Sequence, residues 1–177
     1  MTVDEFLKLP GIEERHVELI HGEVVEEDAD MAGGGPAHEL VKSNLNGILR
    51  DWLRDHPSGK LFVETGYRLD DTDSVIPHLS VLSMERVKRG IAELLSGAPD
   101  LAVEVVSSET AARLRTKIRL YIKHGCKSVW AVFPNERLIE VHSANGQIRN
   151  VEQDQILEDP GALPGFTVPM EEVFAGL

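Results

Sequence analysis

Apolar and polar residues alternate in two short arms near the start of the chain, in the segment HVELIHGEVVEE over residues 16–27. Alternation with a period of two is typical of a strand with one buried face, and the His21-Gly22 pair between the arms is typical of a tight turn. The segment therefore predicts a β-hairpin. A stripe of apolar residues at helical spacing follows and predicts a long helix over residues 37–55.

The middle of the chain predicts strands interleaved with helices. The runs KLFVETGYRLDD and SVIPHLSVLS predict consecutive strands joined through a Gly-containing bend and a turn over Asp70 to Asp73. A short helix is predicted from Met84 to Leu95. A buried strand follows from Asp100 to Val106. A second long helix is then predicted from about Glu109 to His124, and it ends at Gly125.

The last third of the chain is dominated by predicted strands. KSVWAVFP and RLIEVHSANGQIRNVEQ predict two or three of them, with a type I′ turn at Asn145-Gly146, and LPGFTVPMEEVF predicts a strand-like segment with a short helix. The whole pattern is typical of an α/β or mixed α+β fold with a central mixed sheet flanked by helices. The length suits a single domain over residues 1–177.

Two carboxylates interrupt the most apolar of the predicted strands. Asp100 and Glu104 share one face of this strand, because side chains alternate between its two faces. An unpaired carboxylate in such surroundings costs several kcal/mol, so each acid requires a partner. Four residues along a strand separate the two acids by roughly 13 Å, which is too far for them to share one ion.

Neighbouring elements can supply a partner for Glu104. His78 lies on one face of the preceding predicted strand, and Lys117 lies near the apolar stripe of the helix that follows Glu104. A metal ligand, an acid and a lysine can therefore converge. Glu64 is a further candidate if its strand face looks into the same cleft.

The acidic composition limits the partners of the chain. Eighteen basic and 30 acidic residues give a net charge of -12, which argues against tight non-specific binding of DNA or RNA. Cys126 is the only cysteine, so neither an internal disulfide nor a cysteine-based zinc cluster can form, and a reducing compartment suits the chain. No apolar stretch approaches the roughly 18 residues of a membrane span, so we expect a cytoplasmic protein without a membrane partner.

Six segments, taken together and in order, resemble one known family. They are HVELIHGEVVE, HELVKSNLNGILRDWL, FVETGYRLDD, APDLAVEVVSS, KIRLYIKHGCKSVWAVFP and LPGFTVP. The chain is similar to the Uma-two family of restriction endonucleases, a stand-alone branch of the PD-(D/E)XK nuclease superfamily. The resemblance implies a restriction-endonuclease-like fold and metal-dependent hydrolysis of DNA, with Mg²⁺ or Mn²⁺ as cofactor.

The resemblance also implies roles for single residues. Glu104 matches the catalytic acid of the superfamily motif. The lysine of that motif has moved into the following helix in this family, so Val106 stands at the superfamily position and Lys117 takes the role. Asp100 is left with a turn or capping role at the start of its strand.

The implied metal ligands depart from the family pattern at one position. They are Glu104, the backbone carbonyl of Val105 and an acid directly after Pro77, but this chain has His78 there. An imidazole suits Mn²⁺, Zn²⁺ or Fe²⁺ and is a poor ligand for Mg²⁺. We therefore expect a variant metal site with His78 as a ligand.

A basic stretch is the best candidate for contact with DNA. RLRTKIRLYIK is the most basic segment of this acidic chain, and it carries Arg113, Arg115, Arg119 and Lys123 in addition to Lys117. His38 matches a histidine of the family, and we expect it to face the core or a phosphate.

Two alternatives to an active endonuclease stay open. The histidine at position 78 and the net charge of -12 favour an inactive nuclease fold that serves as a binding or dimeric interaction module. A small-molecule metal hydrolase that uses His38 and His78 with Glu104 is the third interpretation, and the lack of a short-spaced histidine pair weakens it.

Overall fold

Helices and strands alternate along the chain in the computed structural model, which describes residues 1–12, 16–26, 35–91, 94–107 and 111–177. The helices are α1 (Val3–Phe6), α2 (Gly35–Asp55), α3 (Met84–Lys88), α4 (Ala111–Lys123) and α5 (Met170–Val173). The strands are β1 (Val17–Ile20), β2 (Glu23–Glu26), β3 (Gly59–Val63), β4 (Tyr67–Arg68), β5 (Ser74–Val75), β6 (Leu79–Ser83), β7 (Leu95–Ser96), β8 (Leu101–Val105), β9 (Ser128–Phe133), β10 (Leu138–Ser143), β11 (Ile148–Val151), β12 (Ile156–Asp159) and β13 (Leu163–Pro169).

A six-stranded sheet in the order β11-β10-β9-β8-β6-β3 lies at the centre of the fold. Its neighbouring strands are antiparallel except for β8 and β9, which run parallel, so the sheet is mixed. A five-stranded sheet in the order β2-β1-β5-β4-β7 and the β12-β13 pair form the other sheets. The predicted central mixed sheet flanked by helices is confirmed.

The two long helices cover opposite faces of the central sheet. Leu45 of α2 belongs to the same apolar cluster as Val103 on one face of β8. Ile118 of α4 belongs to a second cluster with Ala102, on the other face of that strand. Because alternate residues of a strand share a face, Glu104 points to the α4 side.

The predicted hairpin near the start of the chain is confirmed. β1 and β2 are antiparallel, with Ile20 opposite Glu23. His21 (φ 53°) and Gly22 (φ 77°) both have the positive φ that a type I′ turn needs.

The two predicted long helices also exist. α2 ends at Asp55 as predicted, and α4 ends at Lys123, just before Gly125, whose φ of 96° leaves helical geometry. The predicted start of the second helix near Glu109 falls outside the described residues. None of the described helices is long and apolar enough to cross a membrane.

The two strands predicted between residues 60 and 83 are each broken in two. The outer pieces, β3 and β6, pair in the central sheet, whereas β4 and β5 pair in the five-stranded sheet. Glu64 has a φ of 45°, which turns the chain away from the line of β3, and Pro77 has no N–H with which to continue a ladder between β5 and β6. The break places His78 directly before β6.

The helix predicted from Met84 to Leu95 is shorter than expected. It ends at Lys88, and Gly90 then adopts a φ of 114°, which is incompatible with a right-handed helix. Leu95 instead belongs to β7, which pairs in parallel with β4.

The turn predicted at Asn145-Gly146 is of a different type. Only Gly146 has a positive φ (85°), and its N–H donates to the Ser143 carbonyl at 2.9 Å. The Ser143 N–H donates to the Gln147 carbonyl at 2.9 Å, so Ser143 and Gln147 are the last pair of the β10-β11 ladder. The connection is therefore a three-residue loop with Gly146 in the left-handed position.

The sheet register brings His78 and Glu104 together. β6 and β8 are antiparallel neighbours with Leu79 opposite Val103. His78 precedes Leu79 and Glu104 follows Val103, so the two side chains meet at the same end of the sheet, on the face that α4 covers.

Candidate active site

Glu104 is buried, and other side chains bind both oxygens of its carboxylate. Lys117 Nζ lies 2.9 Å from Oε1, and the Tyr121 hydroxyl donates to the same oxygen at 2.7 Å. His78 Nδ1 lies 3.0 Å from Oε2. Burial raises the pKa of Glu104, but the charge of Lys117 and the hydrogen bonds from His78 and Lys117 outweigh it and lower the pKa to about 2. The carboxylate is therefore ionised at neutral pH.

Lys117 is held between two carboxylates. Its ammonium group lies 2.9 Å from Glu18 Oε1 as well as 2.9 Å from Glu104 Oε1, and all three side chains are at most 3% exposed. Glu18 Oε1 also accepts the N–H of Ile76 at 2.8 Å, and Glu18 Oε2 lies 3.5 Å from Arg113. Two carboxylates thus face one ammonium and one guanidinium group, which is the pairing that buried charges require.

A second imidazole faces His78. His38, near the start of α2, places its Nε2 atom 3.2 Å from Nε2 of His78, with the two rings inclined at 67°. The Nδ1 atom of His38 lies 3.2 Å from Glu39 Oε1. The peptide N–H of Val105 points at Nδ1 of His78, at 3.2 Å. Burial and the neighbouring His78 lower the pKa of His38, which favours its neutral form.

Glu64 lies at the outer edge of this group. Its side chain is 41% exposed and accepts a hydrogen bond from Lys42 at 2.8 Å. Lys42 also pairs with Glu39 at 3.0 Å. A continuous series of polar contacts therefore leads from Glu64 to Glu104, through Lys42, Glu39, His38 and His78.

The structure brings together the residues on which the predicted chemistry depends. His78, Glu104 and Lys117 are in direct contact, and Val105 lies beside them through its peptide group. Glu64 is connected to them only through other side chains. The catalytic and metal-binding roles of these residues stay predictions.

The predicted basic surface of α4 is divided between two sides of the helix. Arg115, Arg119 and Lys123 are exposed, as expected for contact with DNA. Arg113 is half-buried instead: it faces Glu18 and donates to the carbonyl of Glu26 at 3.2 Å. Residues four apart share one side of a helix, so Arg113 points the same way as Lys117.

Two residues of the site were not predicted. The alternation in the first hairpin places Glu18 on the polar, outer face, but the structure buries β1 on both faces. Nothing in the periodicity indicates this. Tyr121 was expected only to fill the core, and its position four residues after Lys117 is the signal that could have placed its hydroxyl at Glu104.

Among the described residues, one group of three potential metal ligands has its ligand atoms within 4.8 Å of one another: Asp70, Asp73 and His124. Asp70 Oδ1 accepts the N–H groups of Thr72 and Asp73, at 2.8 and 2.9 Å, so this acid closes the turn between β4 and β5. The turn geometry accounts for the two aspartates, and His124 Nε2 lies 3.3 Å from Asp70 Oδ2. His38, His78 and Glu104 do not form a group of this kind, because the ring of His78 separates the other two.

Comparison with known proteins places the chain in a family. A family model described as "Uma2: Putative restriction endonuclease" matches residues 3–171. The chain belongs to the Uma2 family. The resemblance carried by the six sequence segments is confirmed. No curated protein matches the chain.

A solved structure shares the fold of this Uma2 protein. The crystal structure of a "putative nuclease belonging to DUF820" from Anabaena variabilis matches with a TM-score of 0.86 over 99% of this chain and 98% of that chain, at 23% sequence identity. At this level of identity the likeness establishes the fold, and it agrees with the predicted mixed α/β architecture.

Proposed function

We propose that this Uma2 protein is a metal-dependent DNA endonuclease that hydrolyses phosphodiester bonds beside His78, Glu104 and Lys117. The observation that carries the proposal is the buried pair of Lys117 and Glu104, 2.9 Å apart, with His78 against the other oxygen of the same carboxylate. Buried charge pairs are costly to desolvate and contribute little net stability. A chemical role for this pair accords with the restriction-endonuclease description of the family, which supports DNA as substrate and a divalent ion as cofactor.

The donor atoms at this site do not suit Mg²⁺. Mg²⁺ is held by oxygen ligands in near-octahedral geometry, whereas His78 supplies a nitrogen. An imidazole suits Mn²⁺, Zn²⁺ or Fe²⁺. The ligand set that the sequence predicts is His78, Glu104 and the carbonyl of Val105. An ion of this class, when bound, polarises the phosphate and lowers the pKa of an attacking water.

The side chains of the site have separate tasks in this proposal. Lys117 keeps Glu104 ionised and supplies positive charge where negative charge develops on the phosphate. Glu104 orients the His78 ring through its contact with Nδ1. Glu64 and Glu39, which are 41% and 47% exposed, are the acids of this group that can exchange a proton with solvent.

The exposed cations of α4 provide a surface for the DNA backbone. Arg115 and Arg119 line a groove of about 630 Å³ that also contacts Val106, two residues after Glu104. A strand whose phosphates meet these arginines therefore passes close to the site. Because the chain carries a net charge of -12, this binding should be weak and sensitive to salt.

Plasmid nicking by the purified protein tests the proposal. With Mn²⁺ we expect nicking by the wild type and by Asp100→Asn, which alters an acid at the other end of the same strand. We expect its loss in His78→Ala and Glu104→Gln, each checked for folding by circular dichroism. Nicking that survives both of these changes would place the reaction elsewhere in the protein.

The second candidate function is an inactive nuclease fold that acts as a binding or dimeric interaction module. The observation in its favour is the deep enclosure of Glu104, together with the histidine in place of an acid at position 78. This alternative predicts that the folded wild type nicks no DNA with Mg²⁺, Mn²⁺ or Zn²⁺. Chemical cross-linking and sedimentation would then reveal whether it forms a dimer.

A further inference from the structure

The two histidines of the site are arranged alike, and they face each other. Each places its Nδ1 atom against a carboxylate: His38 against Glu39 at 3.2 Å, and His78 against Glu104 at 3.0 Å. Each then directs its Nε2 atom at the other ring, and the two Nε2 atoms are 3.2 Å apart.

Neutral imidazoles do not carry enough protons for these contacts. A carboxylate only accepts hydrogen bonds, so each Nδ1 contact needs the single N–H of its ring. Both Nε2 atoms are then bare, and their lone pairs oppose each other across 3.2 Å. If His78 carries its proton on Nε2 instead, its Nδ1 atom can accept the Val105 N–H, but a lone pair then faces Glu104 Oε2. A cation between the Nε2 atoms, whether a proton or a metal ion, lets both Nδ1 atoms donate to their carboxylates.

We propose that a divalent transition-metal ion binds between Nε2 of His38 and Nε2 of His78, with Glu39 and Glu104 holding the two rings. With metal–nitrogen bonds of about 2.1 Å, a separation of 3.2 Å corresponds to an angle of about 100° between the bonds, which lies between the octahedral and tetrahedral values. A ligating histidine that donates its other N–H to a carboxylate is the usual arrangement around protein-bound transition metals.

This inference rests on the proposed function, because both take His78 as a metal ligand. It adds that His38, in place of Glu104, is the second ligand. Of the two side-chain ligands that the sequence predicts, His78 is the more accessible, since it is 15% exposed and Glu104 is 1% exposed. Two protein ligands leave coordination positions for water and for a phosphate oxygen.

Calorimetric titration of the metal-free protein with Zn²⁺ and with Mn²⁺ tests the inference. We expect binding to weaken by more than about 100-fold in His38→Ala and in His78→Ala, and by about 10-fold or more in Glu39→Gln. His142→Ala is the matched control, because His142 is buried to the same extent as His78 and likewise contacts a carboxylate, that of Glu140, at 2.9 Å. Its affinity should equal that of the wild type.

A measurement on the wild type keeps the test independent of how the variants fold. In ¹⁵N spectra of the imidazole groups, one equivalent of Zn²⁺ should shift the Nε2 signals of both His38 and His78 and leave His142 unchanged. Unshifted His38 signals would overturn the inference, as would binding that is lost in His124→Ala and kept in His38→Ala.

Nicking assays on the same preparations separate this inference from the proposed function. Zn²⁺ or Mn²⁺ bound through both histidines, without nicking, would support the metal site and overturn the endonuclease proposal. Metal-dependent nicking that is lost in Glu104→Gln and unchanged in His38→Ala would support the endonuclease and overturn the two-histidine site.

Discussion

Asp100 and Glu104 lie at opposite ends of the same strand, and their partners differ in kind. Asp100, just before β8, accepts the Ser83 N–H at 2.8 Å and pairs with Lys127 at 3.0 Å. Lys127 is 53% exposed and Asp100 is 12% exposed, so this ion pair reaches solvent through its lysine. Glu104 is bound by side chains from other elements and is enclosed by them.

The difference indicates that Asp100 stabilises the end of the strand, whereas Glu104 belongs to the candidate site. The partners of Asp100, the Ser83 N–H and a surface lysine, lie at the ends of the two neighbouring strands, and they are sufficient to stabilise a strand end. The partners of Glu104 come from α4 and from the residue before β6, and through Lys117 they reach Glu18 on β1. Several elements must pack correctly before this carboxylate is satisfied, which is the arrangement expected of a preorganised site.

The largest expected effect is the loss of stability when the lysine that pairs with each acid is replaced. Lys117→Met leaves Glu18 and Glu104 without their shared cation, so we expect a loss of about 3–5 kcal/mol in the free energy of unfolding. Lys127→Met removes a half-exposed partner of Asp100 and should cost less than about 1 kcal/mol. Urea denaturation at pH 7 gives both values, and equal losses would contradict the distinction between the two ends of β8.

A smaller effect is expected from removing the hydroxyl group at Glu104. Tyr121→Phe deletes a hydrogen bond to a buried carboxylate and should destabilise the protein by about 2 kcal/mol. Tyr67→Phe is the matched control, since that fully buried tyrosine shares a hydrogen bond at 2.9 Å with the neutral hydroxyl of Ser80. We expect about 1 kcal/mol there. A control that costs more than Tyr121→Phe would show that Glu104 does not depend on this hydroxyl.

The effect of Asp100 on stability should depend on pH. Burial raises its pKa, but the Ser83 N–H and Lys127 outweigh this, so the pKa lies below its ordinary value. The ionised form therefore stabilises the fold fully above about pH 4, and this contribution is lost as the pH falls through the lowered pKa. Asp100→Asn should cost about 1–2 kcal/mol at pH 7 and progressively less below pH 4. Denaturation curves at pH 7, 4 and 3 test this, and a constant difference would be contrary to it.

The smallest expected effect concerns DNA at the two ends of β8. Arg119→Ala, near the Glu104 end, should reduce the slope of log affinity against log salt concentration by about 1. Lys127→Ala, at the Asp100 end, should leave the slope unchanged. Fluorescence anisotropy with a short duplex at several salt concentrations measures both. A larger change for Lys127→Ala would place the DNA at the opposite end of the sheet.

The sequence was sufficient to predict the fold class and the main elements, because hydrophobic periodicity records which faces are buried. It indicated a Gly-containing bend after β3, but it did not reveal that the chain changes sheets there, nor the break before β6. The residues on both sides of each break are similarly apolar, and only the sheet in which they pair differs. A positive φ at Glu64 has no signature in the residue type. The short helix from Met84 and the turn at Asn145-Gly146 were predicted, but the end of the helix at Lys88 and the three-residue form of the loop were not.

The candidate site was predictable to a similar extent. His78, Glu104 and Lys117 were identified because a buried acid requires partners and because the family pattern named its positions. Glu18 was not, since β1 alternates apolar and polar residues like a strand that is covered on a single face, although the structure covers it on both. The contact between His38 and His78 depends on how α2 packs against the sheet, which no spacing along the chain encodes.

The metal preference of nicking by the wild type and by His78→Asp tests the central claim most directly. His78→Asp supplies a second carboxylate beside Glu104, and with it the oxygen ligand that Mg²⁺ lacks in the wild type. We predict that the wild type nicks a plasmid with Mn²⁺ and not with Mg²⁺, and that His78→Asp gains nicking with Mg²⁺. Equal nicking with both ions by the wild type, unchanged in His78→Asp, would contradict the account of His78 as the residue that sets the metal at this site.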